Sequence, residues 1–240
     1  MDLKSIEPYV TGEKFSNGLE IDCSTSGPIL ERLRFIVERT KGKKAIHIGF
    51  TDHLPLIEEK LASGRWLHKR LVDTCERCVG LDINREAIDF VRDKIGIDDV
   101  FYFDILNDEP LPEFQGDKFD FLILGDVIEH TNSPVDFLST IRRKFVGIAE
   151  NMLITVPNAF DFANIRSLRR NRELINTDHR YWFTPFTLAK VVSEAGLKAS
   201  EFGYCNPPYH KNGLVSRVLQ RYPILSETVY CIARLNDPGK

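Results

Sequence analysis

The chain of 240 residues predicts an α/β fold: a doubly wound, seven-stranded, mostly parallel sheet covered by helices on both faces. Three observations predict it. Short apolar runs alternate with segments of helical period, and several of those runs are apolar at every position, as strands buried on both faces are. Residues able to grip a ligand follow the runs directly. The composition, 42% hydrophobic and 28% charged, is ordinary for a globular domain, and the length suits one core.

The elements follow in order. Residues 1–27, with Gly12, Gly18 and Gly27, read as an irregular N-terminal extension, and residues 28–240 as a single domain. Pro28 opens a helical pattern through Thr40, with Ile29, Leu30, Leu33, Ile36 and Val37 on one face. Lys44–Phe50 reads as a buried strand. Helices are expected over Leu54–Ala62 and Trp66–Cys75, then a second strand over Cys78–Ile83 and a helix over Asn84–Ile95. Val100–Phe103 and Phe119–Leu124 are the third and fourth strands. Pro134–Phe145 is a helix with Ser133 as its N-cap, and Asn151–Val156 is a strand stopped by Pro157. Phe160–Arg170 is amphipathic and basic. Thr184–Ala195 is a helix closed by Gly196, and Lys198–Tyr204 and Glu227–Leu235 complete the strands. Between those last two, Leu214, Val215, Val218 and Leu219 share a face of a short helix. Segments 159–186 and 205–226 are expected to cover the substrate.

The bulk numbers exclude some classes. A formal net charge of -3 gives no general attraction to nucleic acid or to an anionic membrane. No apolar run approaches the roughly 18 residues of a membrane span, and the first residues lack a signal-peptide core, so a cytoplasmic protein is expected. Five cysteines in such a setting read as free thiols. The Cys75–Cys78 pair reads as a helix end and a strand start, because no second pair completes a zinc site.

In open parallel sheets ligands bind beyond the carboxyl ends of the strands. Gly49 ends the first strand and allows a tight turn, followed by Phe50, Thr51, Asp52 and His53. Asp82 ends the second strand, where a carboxylate can accept from both hydroxyls of a ribose. Asp104 ends the third, where it can meet the exocyclic amine of adenine. The fourth leads into Gly125-Asp126-Val127-Ile128-Glu129-His130 and the fifth into Asn158.

These segments carry a resemblance. The order AIHIGFTDH, VGLDINREAI, FYFDI, FDFLILGDVIEH and LITVPNAF resembles the class I S-adenosylmethionine-dependent methyltransferases. DHRYWFTPFTLAKVVSEAGL resembles a segment of their small-molecule members, including the ubiquinone-biosynthesis type. The chain is more similar still to methyltransferase-like proteins associated with bacterial polysaccharide synthesis, from about Lys43 to Gly196. The resemblance implies a Rossmann-like sheet with an antiparallel last strand. It implies S-adenosylmethionine as cofactor and S-adenosylhomocysteine as product. Gly49 and Phe50 would meet the cofactor's methionine end, Asp82 the ribose and Asp104 the adenine amine. Ile83 and Ile105 would sandwich the ring, and Gly125 and Asp126 would line the pocket near the sulfonium.

One departure stands out. The family's first strand usually ends in an acid followed by alternating glycines; here His47 replaces the acid, and Thr51 and His53 stand where glycines are expected. Asp52 is a candidate replacement.

Methyl transfer from a sulfonium needs alignment and, for a hydroxyl acceptor, a base. His130 is the first candidate. Asp178, His179 and Tyr181, with Asn158, are candidates for the acceptor, a saccharide or other small hydroxylated molecule; Trp182 reads as packing. His53 and His68 are ambiguous between surface and pocket. Asp126, Glu129, His130, Asp178 and His179 could instead hold a divalent metal, magnesium on an oxygen-rich donor set, but none is predicted. Arg166, Arg169, Arg170 and Arg172 read as a solvated face or a phosphate contact, and no nucleic-acid partner is expected. Two alternatives remain. One is a noncatalytic methyltransferase-like binding protein, to which the incomplete glycine loop points. The other is a nicotinamide enzyme, which GFTDHL disfavours because it lacks a Gly-x-Gly-x-x-Gly turn.

Overall fold

The computed structural model describes residues 3–25, 27–107, 116–206 and 214–235. Its sheet has seven strands: β1 (Lys44–Ile48), β2 (Arg77–Asp82), β3 (Val100–Tyr102), β4 (Phe119–Gly125), β5 (Ala149–Pro157), β6 (Lys198–Cys205) and β7 (Thr228–Arg234). They lie in the order β3-β2-β1-β4-β5-β7-β6. All pairs from β3 to β5 are parallel, and β7 runs antiparallel to both β5 and β6. The expected sheet and its antiparallel last strand are both present. The strand order reverses direction between β1 and β4, the position at which such sheets open a crevice for a ligand.

The helices are α1 (Leu3–Val10), α2 (Arg32–Thr40), α3 (Leu54–Ala62), α4 (Leu67–Thr74), α5 (Arg85–Phe90), α6 (Pro134–Phe145), α7 (Phe162–Leu168), α8 (Pro185–Glu194) and α9 (Leu214–Arg221). Local chemistry starts several of them. Ser133 accepts from the Asp136 N–H at the head of α6, as expected. Thr184 and Thr187 form a reciprocal capping box on α8, and Gly196 follows that helix at φ 76°. The helix expected from Pro28 begins instead at Arg32. The Glu31 carboxylate accepts from the Leu33 and Arg34 N–H groups, and Glu31 itself pairs with Asn206, which keeps the preceding residues extended. The helix from Asn84 passes from α5 into a π-helical turn over Val91–Ile95 before Gly96.

Two expectations about element boundaries change. The N-terminal extension is not wholly irregular: α1 buries Ile6 and Val10 against Ala189 of α8. β5 is longer at both ends than its apolar run, because β4 pairs with it from Ala149 and β7 as far as Pro157. In the late insertion, α9 buries Leu219 as its apolar spacing requires, whereas the expected cover over 207–213 lies outside the described residues.

Candidate active site

The register aligns the strand ends into one row. Ile48 stands beside both Leu81 and Leu124, Asp82 beside Tyr102, and Gly125 beside Thr155. Gly49, Asp82, Asp104 and Asp126 therefore emerge side by side along the carboxyl edge. Gly49 has φ 68°, and a β-carbon there would lie 2.7 Å from a methyl of Val127, so only glycine fits the turn.

On the β2–β3 side each carboxylate is organised by its own neighbourhood. Asp82 accepts from the Thr51 N–H (3.0 Å) and the Asn84 N–H (3.0 Å), which ties the loop after β1 to the end of β2. Asp104 accepts from the Leu106 N–H (2.9 Å) and the Asn107 side chain (2.8 Å), and these bonds, the side-chain one foremost, hold its carboxyl below the usual range. Ile83 is 67% exposed beside them, whereas Ile105 is only 4% exposed in the main core. The expected pair of walls is thus one open face and one packed side chain. Phe50, 2% exposed, packs on His68 at a ring distance of 4.4 Å, so it serves the core under the loop. Asp52 is bound by Lys60 at 2.7 Å and does not stand in for the missing acid.

His47 and His68 explain that replacement. Both are buried, and their Nδ1 atoms lie 3.3 Å apart. Burial holds the His47 imidazole well below its ordinary pKa, helped by His68 and Arg32, and pushes His68 down to about 3. Two neutral rings can share one proton between facing nitrogens, which two carboxylates or two imidazoliums could not do at neutral pH. Gly80 makes room: a β-carbon there would be 2.9 Å from both the His68 and Phe50 rings. His68 is therefore neither a surface group nor a pocket wall.

On the β4–β5 side the chain strains and crosses over. Asp126 has φ 59°, a conformation unfavourable for a residue with a β-carbon, of the kind that concentrates at functional sites. It is held by the Thr155 hydroxyl (2.8 Å), which donates to it, and by Arg32 of α2 at 3.0 Å. A 3-10 turn over Ile128–His130 follows. Loop 176–183 clips onto this turn: the Arg180 N–H donates to the Glu129 carbonyl (2.8 Å), and its guanidinium donates to the His130 carbonyl. His130 Nδ1 lies 3.1 Å from the Asp178 carbonyl. A carbonyl only accepts, so Nδ1 carries a proton, and in the neutral ring the lone pair stands on Nε2. The His179 ring stands edge-on to His130 at 4.7 Å, and burial, then His130, lowers its pKa. His53 reaches the same cluster, 3.5 Å from the Asp178 carboxylate.

Tyr181 is exposed and donates to the Asn132 carbonyl at 2.7 Å. Asn158 is the clearest departure. It is fully buried, its amide donates to the Ile224 and Ser226 carbonyls at 2.7 Å each, and its oxygen accepts from the Phe160 N–H. Its polar groups are spent on anchoring the chain before β7, leaving none to orient an acceptor. Two groups escaped the sequence reading: Arg32, which lies in an ordinary helical pattern, and the depth of Glu129. Glu129 is 0% exposed, and neither carboxylate oxygen has a hydrogen-bond partner among the described residues. All five cysteines are free, with Cys75 at the end of α4 and Cys78 buried in β2.

Residues 62–201, more than half of the chain, match the methyltransferase domain family, and the chain belongs to that family. No curated protein matches the sequence. Among solved structures, the methyltransferase domain of a bacterial Hen1 (CtHen1) is similar over 85% of this chain and 97% of its own, with 18% identity and a TM-score of 0.53. A complex of the Haloferax volcanii Trm112 methyltransferase activator with a methyltransferase gives a TM-score of 0.53, with 15% identity over 85% and 88% of the two chains. Magnesium protoporphyrin IX methyltransferase from Synechocystis, with bound S-adenosylhomocysteine, gives 0.51, with 12% identity over 85% and 81%. At these identities the likeness is one of fold. The family and the sheet together make this chain a class I S-adenosylmethionine-dependent methyltransferase, with S-adenosylmethionine as its cofactor. Among the described residues no helix is long and apolar enough to cross a membrane.

Proposed function

We propose that the chain transfers a methyl group to an oxygen of a saccharide or another small hydroxylated acceptor, with the reacting centre beside Asp126 and His130. The observation that carries this reading is the His130 imidazole. Its Nδ1–H is engaged by the Asp178 carbonyl, and the lone pair on Nε2 remains to take an acceptor's proton.

The residues fit the cofactor from end to end. Asp82 is oriented by two backbone N–H groups and retains lone pairs for ribose hydroxyls. Asp104 is poised for the adenine amine, and the open face of Ile83 offers apolar cover for the ring. Gly49 leaves the backbone bare at the methionine end. There Arg32 and Asp126, 3.0 Å apart, present a cation and an anion, complementary to the carboxylate and ammonium of an amino acid. When bound, the sulfonium supplies an activated methyl group, so the protein's part is alignment and handling of the acceptor's proton. His179 and the exposed Tyr181 would flank the acceptor, with Asp178 setting the His130 tautomer. Exposed Arg166, Arg169, Arg170 and Arg172 on and after α7 suit an acceptor that carries phosphate. We place this activity in the cytoplasm and link it to polysaccharide synthesis through the sequence resemblance.

The test is calorimetric titration with S-adenosylmethionine and S-adenosylhomocysteine, followed by transfer of a labelled methyl group to glycans, small phenols and single-stranded RNA. Micromolar binding and labelled glycan or phenol carry the reading. Labelled RNA alone replaces the acceptor class. Binding without transfer favours a noncatalytic role for the same fold.

A further inference from the structure

We infer that Glu129, His130 and His179 form a binding site for a divalent first-row transition-metal ion. One donor atom from each residue lies within 4.8 Å of the other two. Donors on one ion with bonds of about 2.1 Å stand roughly 3 to 4 Å apart, so a small inward rotation of the side chains completes the geometry.

Three independent features point into this space. Glu129 is fully buried and both of its oxygens lack a hydrogen-bond partner among the described residues. A carboxylate in that position is costly unless a cation meets it, and the nearby cation, Arg32, is already 3.0 Å from Asp126. His179 Nδ1 is likewise buried without a partner. His130 is held by the Asp178 carbonyl through Nδ1, the outer-shell arrangement that orients a metal-binding imidazole and frees its other nitrogen. Arg180 fixes the turn by donating to the carbonyls of both Glu129 and His130. Asp126 stands outside this group of donors; its carboxylate accepts from the Thr155 hydroxyl and lies 3.0 Å from Arg32.

The donors decide the class of ion. Two imidazoles and one carboxylate favour zinc, cobalt or iron over magnesium and calcium, which prefer all-oxygen shells. Three protein ligands leave positions open for an acceptor oxygen, as in catalytic rather than structural sites. The inference rests on the reacting centre proposed above and deepens it. An ion here would take the His130 Nε2 lone pair, so in the metal-loaded chain the polarised acceptor hydroxyl would lose its proton to solvent, and His130 would serve as base in the metal-free chain alone.

The experiment uses the full chain, stripped with chelator and titrated with CoCl2 by absorption and with ZnCl2 by calorimetry. One equivalent of either ion is expected to bind, with a visible cobalt band. Glu129→Gln and His179→Ala are expected to weaken binding by about 100-fold, while His53→Ala, beside the cluster, retains it. Circular dichroism and S-adenosylhomocysteine titration establish that each variant is folded. Absence of stoichiometric binding by the folded chain overturns the inference, as does unchanged binding in both ligand variants or a preference for MgCl2. Metal binding that survives where methyl transfer is never found counts against the proposed reaction alone.

Discussion

Asp82 and Glu129 lie at comparable depth, 9% and 0% exposed, one at the end of β2 and the other just after β4, yet their carboxylates meet opposite surroundings. Asp82 is satisfied by backbone N–H groups at the ends of β1 and β2, which come into place as the parallel pair forms. The Glu129 carboxyl has no hydrogen-bond partner among the described residues, and burial, then Asp126, raises its pKa well above the ordinary value. The difference separates two jobs on one edge. The nucleoside side is a preorganised binding surface, and the reacting side keeps polar groups in reserve for what arrives there.

The largest expected effect comes from removing the preorganised acid. Asp82→Ala should weaken cofactor binding by about 3 to 6 kcal/mol, two hydrogen bonds to a charged group, as read by calorimetry with S-adenosylhomocysteine. Retained affinity would break the assignment of the nucleoside side. On the other side, His130→Ala should lower the methyl-transfer rate by about 10²- to 10⁴-fold while leaving that affinity within a few-fold. A matching fall in affinity would erase the distinction between the sides.

A third expectation concerns the histidine pair under the site. His68 falls to about 3 in the folded chain through burial, against about 6.5 when unfolded. Between those values the unfolded chain binds more protons, so stability is fully present above pH 6.5 and is lost as pH falls. The slope is up to about 1.4 kcal/mol per pH unit for this group. Urea unfolding from pH 7 to 4 should show it, and His68→Leu should flatten it, leaving the contribution of His47. The smallest effect tests the reserve itself. Glu129→Met should raise metal-free stability by about 1 kcal/mol, because a buried carboxyl without partners gives way to an apolar chain of similar size. Asp82→Ala should lower it by a similar amount through the two lost backbone contacts. Equal signs in thermal unfolding would undo the comparison.

The sheet was legible because its information is local. A strand buried on both faces must be apolar throughout, and FDFLIL and NMLITV are. Ser133 and Thr184 cap their helices through bonds to residues three positions on, within reach of a sequence pattern. Gly49, Asp82, Asp104 and Asp126 were legible as strand ends for the same reason, since parallel register places such ends side by side.

The fate of individual polar groups was not. Asn158 follows β5 as an acceptor contact would, yet Ile224 and Ser226 take its amide. His68 sits in a helix with nothing in its spacing to mark it, and becomes the partner of His47 once α4 packs on the sheet. By itself, then, the sequence determined the class of fold and the row of strand ends, consequences of apolar period and short-range capping, and its motif segments carried the resemblance to the family. Only the tertiary structure decided that Arg32 pairs with Asp126, that His47 packs against His68, and that Glu129, His130 and His179 converge. Those contacts join residues far apart in the chain, and a buried polar atom's partner is chosen by packing in three dimensions.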